Sequence, residues 1–373
     1  MQRDVSMTRE NPNSQDCGLP CKTSKIGAFR IDRRYLEELI AVSDYSSSSA
    51  LVAGGGGFIG GHLAARLLRE GYRVRVVDCK PVDEWYQVHP DAENVVADLS
   101  LLDAARAAAD GMDEVYNLAA DMGGIGFIEG NKARCMLSVL INTHLLMASR
   151  DAGVDRFFFS SSACVYAAAH QTAPDLEPLR EEMAYPAMPE DGYGWEKLFD
   201  ERMCRHFSED FGLRTRVARF HNIYGPHGTW DGGREKAPAA ICRKIAAAVI
   251  NGDDQIEIWG DGEQSRSFTY IDDCVEGILR IMRSDCDQPL NLGSEELVTI
   301  NQLVDLVQEL AGCSLTRHHN LSAAQGVRGR NSDNTLIREQ LGWAPAVSLR
   351  EGISETYKWI YKEVGYASHR FLP

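Results

Sequence analysis

Two short runs hold the residue types of a redox centre with an extra acid or base. Tyr193 and Lys197 stand one helical turn apart in Tyr193-Gly194-Trp195-Glu196-Lys197, so on a helix they share a face and the ammonium can favour the phenolate. A tyrosine tuned in this way can remove a hydroxyl proton. Upstream, Ser160-Ser161-Ser162-Ala163-Cys164-Val165-Tyr166 closes an apolar stretch and sets a thiol, Cys164, among hydroxyls. Hydride removal from a carbinol needs an acceptor, an oriented hydroxyl and a base. A cysteine beside them can move a proton at a neighbouring carbon. Alone, each run has a plain structural explanation, a surface helix pair for Tyr193 and Lys197 and a small hydrophobe at a strand end for Cys164.

The elements around these runs decide between the two readings. From Ala50 onward strands alternate with helices: strand 51–53, a helix from about Gly61, strands 73–77 and 114–118, helix 137–148, strand 156–159, helix 194–211 and strand 216–220. That order predicts an α/β fold, a Rossmann-type doubly wound parallel sheet. Between its first strand and first helix, Gly54-Gly55-Gly56-Gly57-Phe58-Ile59-Gly60 puts glycine at the first, fourth and seventh positions. Backbone can then approach a pyrophosphate at a turn that includes Phe58 and Ile59, and the N-terminus of the helix that follows offers unpaired N–H groups to the anion. Asp78 follows about 20 residues later, at the end of the second strand, where a carboxylate accepts from ribose hydroxyls. Its charge repels a 2′-phosphate and favours NAD over NADP; Lys80 and Arg75 are the nearby cations that would suit NADP. Asp98 and Leu99, after a third strand at 94–97, could cover the adenine; the alternative is a plain solvated loop carboxylate.

The rest of the chain sets limits. Its 373 residues suffice for two lobes. The first lobe is read as 50–225 with 267–292, and a smaller, sequence-interleaved substrate lobe as 226–266 with 293–373. Residues 1–49 form an N-terminal extension with a possible amphipathic helix at 33–42. A net charge of −15 disfavours nucleic acid and anionic membranes, so an anionic ligand needs a local cationic cluster. No apolar run is long enough for a membrane span, and a cytoplasmic protein is expected. Of ten cysteines, Cys17 and Cys21 are the one close pair, and no metal site is expected.

Taken together, the glycine pattern, Asn117-Leu118-Ala119-Ala120, the serine-rich strand end, Tyr193-x-x-x-Lys197 and Asn222-Ile223-Tyr224-Gly225-Pro226 resemble the extended short-chain dehydrogenase/reductase family of nucleotide-sugar enzymes. Asp121-Met122-Gly123-Gly124, Ser162-Ala163-Cys164, the run from Gly228 through Lys236 to Pro238, and the run from Gly326 through Arg330 to Asn334 are similar to one branch of it. Enzymes of that branch epimerise C3 and C5 of a GDP-hexose. The resemblance spans about 50–363. It departs at Ala167, where that branch has proline, so a differently shaped loop is expected there.

The resemblance implies NAD as cofactor, a nucleotide-diphosphate sugar (GDP-mannose or a close relative) as substrate, and a homodimer formed through the helices near 137–148 and 194–211. Ser162, Tyr193 and Lys197 would serve oxidation at the sugar C4. A C4 ketone acidifies the C3 and C5 hydrogens, and the resemblance assigns Cys164 as base and Lys236 as acid. Cys164 would need thiolate character from cationic neighbours. Arg330 would grip the diphosphate, with Asp333 as an alternative structural partner. Lys244, Asn222 and Gln264 would lie near the nucleotide sugar, Gly123 and Gly124 would let the sugar approach, and Arg266 and Arg328 are further cations. Ala163 and Cys164 stand where 4,6-dehydratases carry Asp-Glu, which disfavours dehydration. A 4-epimerase and a non-catalytic NAD-responsive binding protein are the alternatives, and each leaves Cys164 and Lys236 unexplained.

Overall fold

The computed structural model describes residues 48–323 and 325–370. The helix expected at 33–42 and the Cys17–Cys21 pair lie outside the described residues. Strand β1 (Ser49–Ala53) starts inside the expected extension. Asp113 explains the early start, because it accepts from the Ser49 amide at 2.7 Å and hydroxyl at 2.8 Å.

The chain continues through α1 (Phe58–Arg69), β2 (Arg73–Asp78), β3 (Glu93–Val96), α2 (Leu102–Ala109) and β4 (Glu114–Asn117). Then come α3 (Ile125–Gly130), α4 (Lys132–Met136), α5 (Val139–Ala152), β5 (Arg156–Ser162), α6 (Tyr193–Phe211), β6 (Arg214–Phe220) and β7 (Ile223–Tyr224). The last part holds α7 (Ala237–Asn251), β8 (Gln255–Trp259), β9 (Ser265–Ser267), β10 (Thr269–Tyr270), α8 (Ile271–Arg283), β11 (Leu290–Leu292) and β12 (Leu297–Thr299). It ends with α9 (Ile300–Ala311), β13 (Thr316–Asn320), β14 (Gly329–Arg330), α10 (Thr335–Leu341) and α11 (Leu349–Arg370).

Seven parallel strands form the main sheet in the order β11-β6-β5-β4-β1-β2-β3. The order reverses between β1 and β4, and in such sheets ligands bind beyond the carboxyl ends of the strands there. Because successive side chains point to opposite faces, both faces must be covered. Ala50 and Val52 join a core with Leu63 and Leu67 of α1 and Ile278 of α8. Leu51 and Ala53 join another with Ala105 of α2, Leu145 of α5 and Phe207 of α6. β11 supplies a seventh strand, which sequence periodicity did not separate from α8. Smaller sheets, β12-β9-β14, β13-β8 and β10-β7, surround the region beyond the strand ends.

Beneath that region, a buried ion pair ties α6 to β6. Arg219 and Glu201 meet at 2.7 Å with side chains only 2% and 3% exposed. Arg219 also donates to the Glu181 carbonyl at 2.7 Å and the Tyr166 hydroxyl at 3.1 Å, and Tyr166 donates to Asn291 at 2.6 Å. Removing one partner strands a buried charge. Glu201→Gln should therefore lower unfolding free energy by about 3–5 kcal/mol in urea titrations, whereas the double variant Glu201→Leu/Arg219→Met should recover much of that loss.

Candidate active site

The loop after β1 is shaped by close backbone approaches. Gly54 has φ +77°, and a Cβ there would lie 2.8 Å from the Ala119 backbone; at Gly60 a Cβ would lie 2.4 Å from the Gly54 carbonyl oxygen. Gly57 caps α1 without any side-chain hydrogen bond, so the first-turn amides face outward. The side chains of Phe58 and Ile59 pack toward the core, and the Phe58 ring touches Gly228. Their amides, not their side chains, are what this turn can offer an anion. Asp78, 8% exposed, ends β2 and accepts from the Lys80 amide at 3.0 Å. Arg75 is occupied by Glu93 at 2.9 Å and by carbonyls at the end of α2, and Lys80 Nζ donates to the Gly56 carbonyl at 3.1 Å. Arg75 is thus committed elsewhere, and Asp78 remains the charge at the end of β2. Asp98 is exposed, whereas Leu99 turns into the core at 4% exposure, so the Leu99 side chain does not offer a surface to an adenine. A cradle that any Cβ would fill, an uncapped helix N-terminus and a carboxylate at the end of β2 together fit a dinucleotide.

Ser162 ends β5, and its hydroxyl accepts from the Cys164 amide at 3.2 Å, tightening the turn that carries the thiol. Tyr193 opens α6. Gly194 follows because a Cβ there would lie 2.3 Å from the Cys164 carbonyl. Lys197 is 1% exposed, with Nζ 5.5 Å from the Tyr193 ring centroid and 4.7 Å from that of Phe159. The surface-pair reading of Tyr193 and Lys197 is thereby excluded. The expected phenolate is not favoured, however. Burial, then the charge of Glu196, push the Tyr193 phenol well up, against the hydrogen bond from Ser162.

Beyond the strand ends lies a cavity of about 550 Å³. Gly123, Gly124, Ser162, Cys164, Tyr193, Asn222, Lys236, Lys244, Gln264 and Arg330 all line it. Lys236 precedes α7, whose first turn holds Pro238. Its loop is pinned by Arg234, which stacks 3.8 Å from the Phe127 ring centroid and bonds Asp121 at 3.1 Å. Gly124 allows this contact, since a Cβ would lie 2.8 Å from the Glu235 carbonyl oxygen. Burial pushes the Lys236 ammonium down, the field of Cys164 opposes this and Arg330 reinforces it. A lysine lowered in this way parts more readily with a proton. Asn222, at φ +46°, donates to the Ser267 carbonyl at 3.0 Å, and Lys244 Nζ donates to the Glu257 carbonyl at 2.8 Å. The Gln264 amide donates to the Trp259 carbonyl at 3.1 Å, while its buried Oε1 has no hydrogen-bond partner.

Three expectations about charge change. Cys164 is buried, and burial followed by the facing charge of Glu190 pushes its thiol up, with Arg330 opposing. These surroundings favour the thiol over the thiolate. Arg330 does not pair with Asp333; it is held by Gln171 at 2.6 Å and by Glu190, and its Nη1 reaches Cys164 Sγ at 3.7 Å. Arg328 is bound bidentately to Asp261 at 2.8 and 2.9 Å and does not line the cavity. Where the related branch has proline, Ala167 leads into a tight turn over Ala168–His170, and its carbonyl accepts from Gln171 at 3.3 Å. Glu190 and Gln171 were missed in the sequence because both sit on irregular loops without motif spacing.

The sequence pattern of the NAD dependent epimerase/dehydratase family matches residues 50–293. The chain belongs to that family. Its members' cofactor, NAD, is the one this dinucleotide cradle fits. The chain is 47% identical over 314 residues to a protein of Oryza sativa subsp. japonica named GDP-mannose 3,5-epimerase 1, covering 84% of this chain and 82% of that one. It is 46% identical, with the same coverage, to GDP-mannose 3,5-epimerase of Arabidopsis thaliana. Among solved structures, UDP-glucose 4-epimerase of Thermotoga maritima with UDP-glucose superposes with a TM-score of 0.75 at 28% identity, over 85% of this chain and 99% of that one. This family member is therefore an NAD-dependent enzyme, and none of its described helices is long and apolar enough to cross a membrane.

Proposed function

We propose that the protein is a GDP-mannose 3,5-epimerase, acting on GDP-mannose or a close relative. The observation that carries the reading is the presence of Cys164 and Lys236 in one cavity with Ser162 and Tyr193. Bound NAD supplies the acceptor for the C4 hydride and its later return. Ser162 orients the C4 hydroxyl, Tyr193 takes its proton, and Lys197, buried beneath the Tyr193 ring, biases that transfer. With C4 a ketone, a carbanion at C3 or C5 delocalises onto the carbonyl oxygen. Cys164 then removes a carbon-bound proton from one face and Lys236 returns one to the other. Both serve C3 and C5 in turn.

Residues 50–225 with 267–292 hold NAD in this account, and 226–266 with 293–373 hold the nucleotide sugar. Arg330 and Lys244 face the diphosphate, with Asn222 and Gln264 beside the nucleotide. Exposed Leu137, Leu140, Trp195 and Phe199 lie at or on α5 and α6 and support pairing of two copies there. Eight free cysteines among the described residues suit a reducing compartment, the cytoplasm. A 4-epimerase, the activity named for the Thermotoga maritima structure, needs C4 chemistry alone and gives Cys164 and Lys236 no task. Incubation with GDP-mannose should yield new GDP-hexoses on anion-exchange chromatography with no net NADH. GDP-mannose recovered unchanged would refute the substrate assignment.

A further inference from the structure

The loop entering α6 folds back onto the Cys164 turn. The Glu190 amide donates to the Cys164 carbonyl at 3.0 Å, the same oxygen that excludes a side chain at Gly194. This backbone clamp brings the Glu190 carboxylate into the cavity wall beside the thiol. Arg330 bridges the two, with Nη2 on Glu190 and Nη1 on the sulfur. Its own position is fixed by Gln171 and by strand pairing of β14 with β9, where Arg330 is opposite Arg266. The charged groups whose fields reach the thiol are Lys236 before α7, Arg266 on β9, Arg330 on β14 and Glu190, with the Tyr193 phenol on α6 beside them. Among these, Glu190 is the anion.

We propose that Glu190 is a positioning residue that shares one proton with Cys164 opposite the fixed charge of Arg330. The proposal rests on the epimerase reading. When Cys164 acts as base, its S–H bond breaks and an O–H bond forms on Glu190. The electron pair left on sulfur, facing Arg330, then bonds the proton leaving the sugar carbon, whose own pair enters the enolate. Lys236 gives a proton to the opposite face. The cycle closes as Glu190 releases its proton to solvent and Lys236 regains one. Glu190 has an outlet for this, since its side chain keeps 19% exposure while that of Arg330 keeps 9%. A nearby carboxylate that stays charged opposes a thiolate, so one negative charge shared by the pair is favoured over two.

The test is the pH dependence of iodoacetamide alkylation of Cys164 in the NAD-loaded protein, followed by mass spectrometry of the peptide that carries it. Glu190→Gln should move the midpoint down by about one pH unit or more, and Arg330→Gln should move it up. Glu190→Asp, which keeps the charge, should stay near the wild-type midpoint. The same Glu190→Gln substitution should shift the acid limb of the solvent-exchange rate with GDP-mannose in the same direction. An unchanged alkylation midpoint in Glu190→Gln, or an equal shift in Glu190→Asp, would overturn the proposal. Alkylation needs no sugar, so failure of wild-type protein to act on GDP-mannose would remove the epimerase reading separately.

Discussion

Cys164→Ala should cut incorporation of solvent deuterium into C3 and C5 of GDP-mannose by about 10³-fold, while reversible oxidation at C4 continues. The substitution deletes the base and leaves the other parts in place. Gly54 to Gly60 keep their close backbone approaches, and Ser162 and Tyr193 still line the cavity. Cys164 packs with Cys135 and Tyr193, and trimming one sulfur from that small cluster costs on the order of 1 kcal/mol, so the protein should fold and bind NAD. The readout is NMR of the C3 and C5 protons in deuterated water, with NADH absorbance followed during turnover. Deuterium uptake persisting at the wild-type rate would move the base to another residue.

Tyr193→Phe should fail one step earlier. Without the phenolic oxygen the C4 hydroxyl proton has no acceptor, and oxidation should slow by about 10²–10⁴-fold. Both the NADH transient and the exchange at C3 and C5 should then disappear together, because without a ketone neither carbon is acidified. Phenylalanine fills the same apolar contacts with Cys135 and Cys164, so the loss is chemical. The sign of the pH dependence follows from the environment. Burial and Glu196 raise the Tyr193 phenol, so its basic form gains with rising pH, and the wild-type oxidation rate should increase toward alkaline pH. Ser162→Ala removes a hydrogen bond that opposes this and should move the limb to still higher pH. A Tyr193→Phe enzyme retaining the NADH transient would contradict the assignment.

The parts of the site legible in the sequence are those with strong local signals. Gly54 to Gly60 must be read as a cradle because glycine spacing after a buried strand reports close backbone approach, and the structure supplies the blocking atoms, Ala119 and the Gly54 carbonyl. Tyr193 and Lys197 share a helix face by spacing alone. The partners of the charges were not legible. Arg330 has Asp333 nearby in sequence, yet Gln171 and Glu190 reach it across long loops. Helix α6 shows why burial was hard to foresee. Its Glu196, Lys197, Asp200 and Glu201 are all buried, against the usual fate of charged residues, because the helix packs its charged side under the site. Burial and then the charge of Glu196 push the Asp200 carboxyl up, with Lys197 opposing. The cations around Cys164 point to thiolate character, but burial first, and then Glu190, invisible as a motif, push the thiol up against Arg330.

The central claim is that one cavity joins C4 redox chemistry to proton exchange at the two neighbouring carbons. Its most direct test is NMR of GDP-mannose incubated with the NAD-loaded protein in deuterated water. Deuterium should appear at both C3 and C5, with C4 keeping its hydrogen and its configuration. Inversion at C4 with no deuterium at C3 or C5 would contradict it.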